Sequence, residues 1–200
     1  LQDLSYRACE SYIDFAPHLF VRPTSAEAPV KAESSPAVVS LMSRNSYLEQ
    51  CPASLRAAME QVYAKIDGAS LSKDNILKLT RDIVPFAGFP RGCIYLFEPD
   101  AAALMPRLAI GTAKLNAFGP VRLRGGSYSP DPVRDAYVGT VPIMRTDVMV
   151  KQRKLSYIAG VLGEVQRSGV LYVEPAQCLL AQQAANPLGR FRAIRQLLCD

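Results

Sequence analysis

The sequence predicts an α+β domain built on a mainly antiparallel sheet. Apolar residues recur at steps of three and four between residues 55 and 84, the helical period. From residue 93 that period gives way to short apolar runs bounded by turn formers and interrupted by one short helix, and a longer helical pattern returns after residue 187. Helices that flank a block of strands, rather than alternating with them, mark α+β. The chain has 200 residues, 49% apolar and 20% charged, with a mean hydropathy of +0.05. Those values exclude wholesale disorder, and the length allows a sizeable core without disulfide staples.

Leu4, Ala8, Tyr12 and Phe15 fall at helical intervals, so residues 1–20 read as a helix that ends before Pro17. It is expected to be the tail of an upstream domain or a connecting helix. The chain begins at Leu1 rather than Met, which reads as a piece of a longer protein. Residues 21–42 contain RPTSAEAPVKAESSPAVVS, rich in proline, serine and alanine. They lack the large apolar side chains that offset ordering entropy, and read as a linker. The domain proper is placed at residues 43–200.

Two helices open it. Ser54 is expected to cap the first, and Leu55, Met59, Val62 and Ile66 form its stripe, with Asp67-Gly68 as the stop. Ser72 is expected to start the second, whose buried face is Ile76, Leu77, Thr80, Ile83 and Val84, with Pro85 ending it.

The run Cys93–Phe97 and the segment Leu104–Ile110 read as a hairpin joined by EPDAAA. A third strand is expected near Pro120–Leu123, then the turn-rich GGSYSPDP and a short helix over Pro132–Val138. Val141–Met144 reads as a brief strand. Ser156–Val165 and Val170–Val173 form a closing hairpin around Gln166–Gly169. Asn186 caps a last helix with Pro187 at its first position. Leu188, Phe191, Ile194 and Leu198 line one side of it, and Arg190, Arg192 and Arg195 the other. The helices should cover one face of the sheet, and the irregular segment 112–155 the other; such segments usually carry function.

Several chemistries are disfavoured by residue type. The five cysteines have no CxxC spacing and the one histidine, His18, lies in the leader, so no metal set and no His-based triad is expected. Glu98 and Asp100 fit turn chemistry better than acid–base work. Gly125-Gly126 is not part of a GxxxxGK[ST] phosphate loop. No apolar run is long enough to span a bilayer, and no signal-peptide layout is present, so a cytoplasmic protein with reduced cysteines is expected. Net charge is −2 over residues 1–50 and +7 over 51–200. Arg145, Lys151, Arg153 and Lys154 surround the closing hairpin. They could guard a pocket mouth or meet nucleic acid, but protective charges on an edge strand explain them best. Without aromatic interleaving or a recognition helix, nucleic-acid binding is not expected.

The segments CIYLFEPDAAALMPRLAIG, SYIAGVLGEVQRSGVLYVEP and ANPLGRFRAIRQLL resemble, in that order, the opening hairpin, closing hairpin and C-terminal helix of a GAF domain. The flavour is that of GAF-like modules accompanying HDOD domains in bacterial signalling proteins. The resemblance covers about residues 52–200. It implies an antiparallel sheet with a helical layer on one face and a pocket on the other, holding a small molecule or supporting a dimer without catalysis. The asparagine, lysine, phenylalanine, aspartate and glutamate set of cyclic-nucleotide binders is not recognisable. The cysteine–histidine attachment of bilin binders and the clustered cysteines of the free methionine sulfoxide reductases are missing too.

The ligand candidates lie on the excursion: Arg122 and Arg124 before the glycine pair, Tyr128, Arg134 and Tyr137 after it. Arginine can pair a carboxylate or phosphate, and tyrosine can stack on a ring and hydrogen-bond it. In the plain alternative, Arg134 and Asp135 face solvent and Tyr137 belongs to the core. No motif names a cofactor or the ligand. The expected function is a sensory or regulatory domain with an unknown small molecule and a neighbouring signalling domain as partners. A ligand-free scaffold, dimerising through helices 54–66 and 187–199, is the alternative. A redox enzyme using Cys93 is the third reading, and an exposed, acid-shifted thiol is its signature.

Overall fold

The computed structural model describes residues 42–64, 73–123, 130–150, 152–163, 166–182 and 185–199. The expected leader helix, nearly all of the linker, Ile66, the Asp67-Gly68 stop, the Ser72 start, Arg124 and Tyr128 lie outside the described residues.

Six strands form one sheet: β1 (Arg91–Glu98), β2 (Ala103–Gly111), β3 (Val121–Arg122), β4 (Ile143–Val150), β5 (Arg153–Leu162) and β6 (Gly169–Glu174). The order is β3-β2-β1-β6-β5-β4, and every neighbouring pair is antiparallel. The β1–β2 and β5–β6 hairpins thus pair through β1 and β6 at the centre, where Cys93 lies opposite Tyr172. The register of β1 on β2 shifts between Ile94 and Tyr95, opposite Arg107. Strand β4 is twice as long as the sequence predicts. Its middle is polar, and the pairing shifts between Arg145 and Val148, where Asp147 adopts φ +54°. Such a bulge is compatible with an edge strand but breaks the alternation by which strands are recognised.

The helical layer comprises α1 (Ala53–Tyr63), α2 (Lys73–Lys78), α3 (Val84–Phe86), α5 (Gln177–Ala181) and α6 (Pro187–Cys199), while α4 (Pro132–Val138) crosses the opposite face. Two expectations are corrected here. Ser54 does not cap α1: Pro52 stands at the N-cap without a side-chain bond, and its carbonyl accepts from the Arg56 N–H at 3.0 Å. Pro85 does not end the second helix, which runs through it to Phe86. A π turn over Leu79–Ile83 precedes Pro85, with the Val84 N–H bonded to the Leu79 carbonyl. The wider turn relieves the crowding that a proline imposes on the preceding turn of an α-helix. It also advances the buried face, so Leu79, Thr80, Ile83 and Val84 are buried while Leu77 is exposed and Ile76 half-buried.

The larger core lies between the helices and one sheet face. Leu55, Met59, Val62, Phe191, Ile194 and Leu197 meet Ile94, Ile110, Ile158, Leu171 and Val173. Each such buried aliphatic side chain contributes about 1.5–3 kcal/mol. The stripe of α1 is therefore used within the chain. In α6, Leu197 rather than Leu198 is fully buried, and Asn186 caps the helix as expected, its Oδ1 accepting from the Gly189 N–H at 3.0 Å. The α6 arginines are all half-buried: Arg190 donates to the carbonyls of Ala185 and Ala87, and Arg192 lies over the Tyr47 ring.

Candidate functional site

Side chains alternate across a strand, so each central strand divides its apolar residues between the two faces. In β1, Ile94 goes to the helical layer while Cys93, Tyr95 and Phe97 go to the other face. In β6, Leu171 and Val173 face the helices while Val170 and Tyr172 do not; in β5, Tyr157 and Ala159 join the second set. One face is thus aliphatic and the other phenolic. Phe118, just after the 3-10 turn Leu115–Ala117, and α4 cover the phenolic face.

The rings there are in mutual contact. Tyr157 stacks on Tyr172 with centroids 6.0 Å apart, and Phe118 meets Tyr95 and Tyr172 edge-on, each at 6.3 Å. Phe97 lies 5.5 Å from Tyr137. Such pairs add about 0.5–1.5 kcal/mol each beyond area burial. At one end, Arg91 and Glu174 are cross-strand partners with Nε and Oε1 3.2 Å apart. The Tyr172 hydroxyl donates to the same Oε1 at 3.1 Å, and the Arg91 guanidinium lies 5.3 Å from the Phe118 ring centre.

The hydroxyls of Tyr95 and Tyr157 differ from that of Tyr172, because no described residue accepts from them. Asn45 Oδ1 is the one side-chain oxygen or nitrogen among the described residues that is sealed from solvent without a partner. Both rings are buried, and neither hydroxyl donates to a described residue. Burial pushes the Tyr95 phenol above its ordinary range, and Cys93 and the Asp131 carboxylate add to the shift. Burial raises Tyr157 too; Arg145 opposes this, while Asp135 and Asp131 reinforce it. Tyr172 is raised by burial and by Glu174, against Arg91. All three are neutral hydrogen-bond donors at physiological pH.

Helix α4 is fastened at both ends. Asp131 Oδ1 accepts from the N–H groups of Val133 at 3.0 Å and Arg134 at 3.3 Å, a side-chain N-cap. At the other end Arg167, from the β5–β6 turn, donates through Nη1 to the carbonyls of Tyr137 and Val138, and the Tyr137 hydroxyl donates back to the Arg167 carbonyl.

Of the residues named from sequence, Tyr137 lies under this helix against Phe97, and Arg134 is half-buried one turn earlier, 3.8 Å from Asp135. Arg122 is not brought to them: it is exposed on β3, and the pleat puts it on the face opposite buried Val121. The residues not anticipated are Arg91, Tyr95, Phe118, Tyr157, Tyr172 and Glu174. Their signal was the spacing of Cys93, Tyr95 and Phe97, and of Tyr172 and Glu174, at every second position. Cys93 is fully buried, and desolvation pushes its thiol up to about 12, the opposite of an activated nucleophile. Glu98 is engaged in an ion pair with Arg107. Among the described residues no group of histidine, cysteine, aspartate or glutamate could hold a metal ion, and no helix is long and apolar enough to cross a membrane.

Compared with known proteins, the chain matches no family model, no curated protein and no solved structure.

Proposed function

We propose that this is a non-catalytic sensory or regulatory domain, GAF-like in kind, from a bacterial cytoplasmic signalling protein. Its ligand is a small molecule held between the phenolic sheet face and the α4 segment. One observation carries the reading: Tyr95 and Tyr157 are buried on one sheet face, yet their hydroxyls have no acceptor among the described residues. A face whose only task was packing would place phenylalanine or leucine there. Buried phenols without partners lose hydration for no return. The chemistry fits a compound with a flat or apolar body and hydrogen-bond acceptors spaced to meet two phenols. Bound tightly in one state of α4 and weakly in another, it would shift the balance that a neighbouring output domain senses.

The test is a thermal-shift screen of the whole chain with cyclic nucleotides, nucleotides, amino acids and haem-type compounds. A binder raises Tm with concentration, and Tyr95→Phe weakens that response without lowering the unliganded Tm. If no compound shifts Tm and light scattering gives a stable dimer, the scaffold reading replaces this one. The α1 stripe expected to serve it is packed within the chain, so the surface that supports it is a different one: Val138 at the end of α4, Val141 after it and Met149 on edge strand β4 are exposed.

A further inference from the structure

We propose a second site, for a phosphate-type oxyanion, in the cleft between Arg167 and Arg195 at the far end of β5. The cleft has a volume of about 260 Å³ and is lined by Thr140, Val161, Gly163, Arg167 and Arg195. Strand β4 begins at Ile143 opposite Ala159, so it does not pair with β5 beyond Ala159. Gly160 has no side chain, and the stem of Arg195 on α6 passes over it. A Cβ there would lie 3.3 Å from Arg195 Cδ. Arg195 Nη1 then donates to the Val161 carbonyl at 3.3 Å. From the other side Gly163, at φ +84°, and Arg167 line the cleft.

Both guanidiniums are anchored by carbonyls, and neither pairs with a carboxylate among the described residues. A guanidinium has five N–H donors and no acceptor. The anchoring bonds use Nη1 of each residue, which leaves Nε and Nη2 of both as donors. The exposed Thr140 hydroxyl adds one more. Two fixed cations with spare donors, arriving from different elements, suit a tetrahedral dianion better than a single planar carboxylate. The cleft is smaller than the 300–1,000 Å³ or so typical of pockets for drug-sized ligands, in keeping with a small anion or the head of a monoester. The site is independent of the phenolic chamber, although Arg167 ties both to α4.

The experiment is an NMR titration of the whole chain, at constant ionic strength, with inorganic phosphate, methyl phosphate and acetate. Saturating shifts are expected at the amides of Thr140 and Gly163 and the Nε–H of Arg167 and Arg195, with both phosphates. Tighter binding of methyl phosphate would identify an esterified group, and tighter binding of phosphate the free ion. Arg195→Gln should weaken binding roughly tenfold or more, as loss of a charge-assisted bond implies. Thr140→Glu, on an exposed loop residue, should abolish it. Linear, unsaturating shifts overturn the site. So do equal affinity for acetate or unchanged phosphate binding in Thr140→Glu, whichever way Arg195→Gln folds.

Discussion

Replacing two tyrosines by phenylalanine, one at a time, separates the structural phenol from those free to meet a ligand. Tyr172 donates at 3.1 Å to Glu174, a carboxylate also held by Arg91, with side-chain exposures of 19% for Glu174 and 29% for Arg91. A hydrogen bond to a charged group contributes about 1.5–3 kcal/mol. Water can partly replace the hydroxyl at a carboxylate this accessible, so Tyr172→Phe should cost about 1–2 kcal/mol. Tyr95 is equally buried but donates to no described residue. Its loss of hydroxyl should change stability by no more than about 0.5 kcal/mol in either direction. Urea unfolding followed by circular dichroism gives both values, provided the m-value is unchanged. If Tyr95→Phe costs as much as Tyr172→Phe, the Tyr95 hydroxyl already has an internal partner. The phenolic face would then be a closed core, not a receptive surface.

Alkaline pH should destabilise the fold in stages. The Cys93 thiol ionises at its ordinary 9.0 when unfolded and at about 12 when folded, so its contribution is complete below pH 9 and declines above it, by at most about 1.4 kcal/mol per unit. Burial raises the Cys51 thiol too, so Cys93→Ala should shrink the earliest part of a pH titration of Cm without removing it, while Tyr95 and Tyr172, also raised, extend the decline above pH 10. A disulfide-exchange reagent should leave Cys93 unmodified until the protein is unfolded, as read by mass spectrometry. Asp131→Ala removes the N-cap of α4 and should cost about 0.5–2 kcal/mol in urea unfolding. Gly169→Ala should be far worse, because its Cβ would fall on the Tyr95 carbonyl oxygen inside the β1–β6 ladder. About 4 kcal/mol or failure to fold is expected, against a near-neutral Gly119→Ala, where nothing lies within 4 Å.

The elements with a strong local signal were legible in the sequence. Helix α4 matches its expected bounds because proline at its first position and Asp131 before it act within a single turn. The opening hairpin matches to within two residues because the Glu98-Pro99-Asp100 turn and flanking glycines punctuate short apolar runs. The closing hairpin pairs the expected segments, but β5 runs Arg153–Leu162 where Ser156–Val165 is expected, because its pairing with β4 draws Arg153–Leu155 into the sheet. What failed was non-local. Pro85 breaks an α-helix locally, and a reading limited to that rule does not see that an upstream π turn can accommodate it. The extent of β4 depends on pairing with β5, which holds a polar segment in the sheet despite its bulge.

The candidate site was harder for the same reason. Arg122, Arg134 and Tyr137 stand out because they sit beside turn formers in an irregular segment, where function is usually sought. The phenolic face is instead assembled from strands whose sequences look like ordinary core. The alternation that sends Cys93, Tyr95 and Phe97 to one side is visible in β1 alone. That this side also receives Tyr172 and Tyr157 follows only from the register placing Cys93 and Ala159 on either flank of Tyr172. A one-residue slip of β6 would exchange Tyr172 for Leu171 and merge the two faces chemically. The separation of an aliphatic face from a phenolic one is therefore a property of register, and Gly169 enforces that register by letting β6 approach the Tyr95 carbonyl. On this argument Gly169 is as necessary to the proposed ligand chamber as the tyrosines themselves, though it offers a ligand no side chain at all.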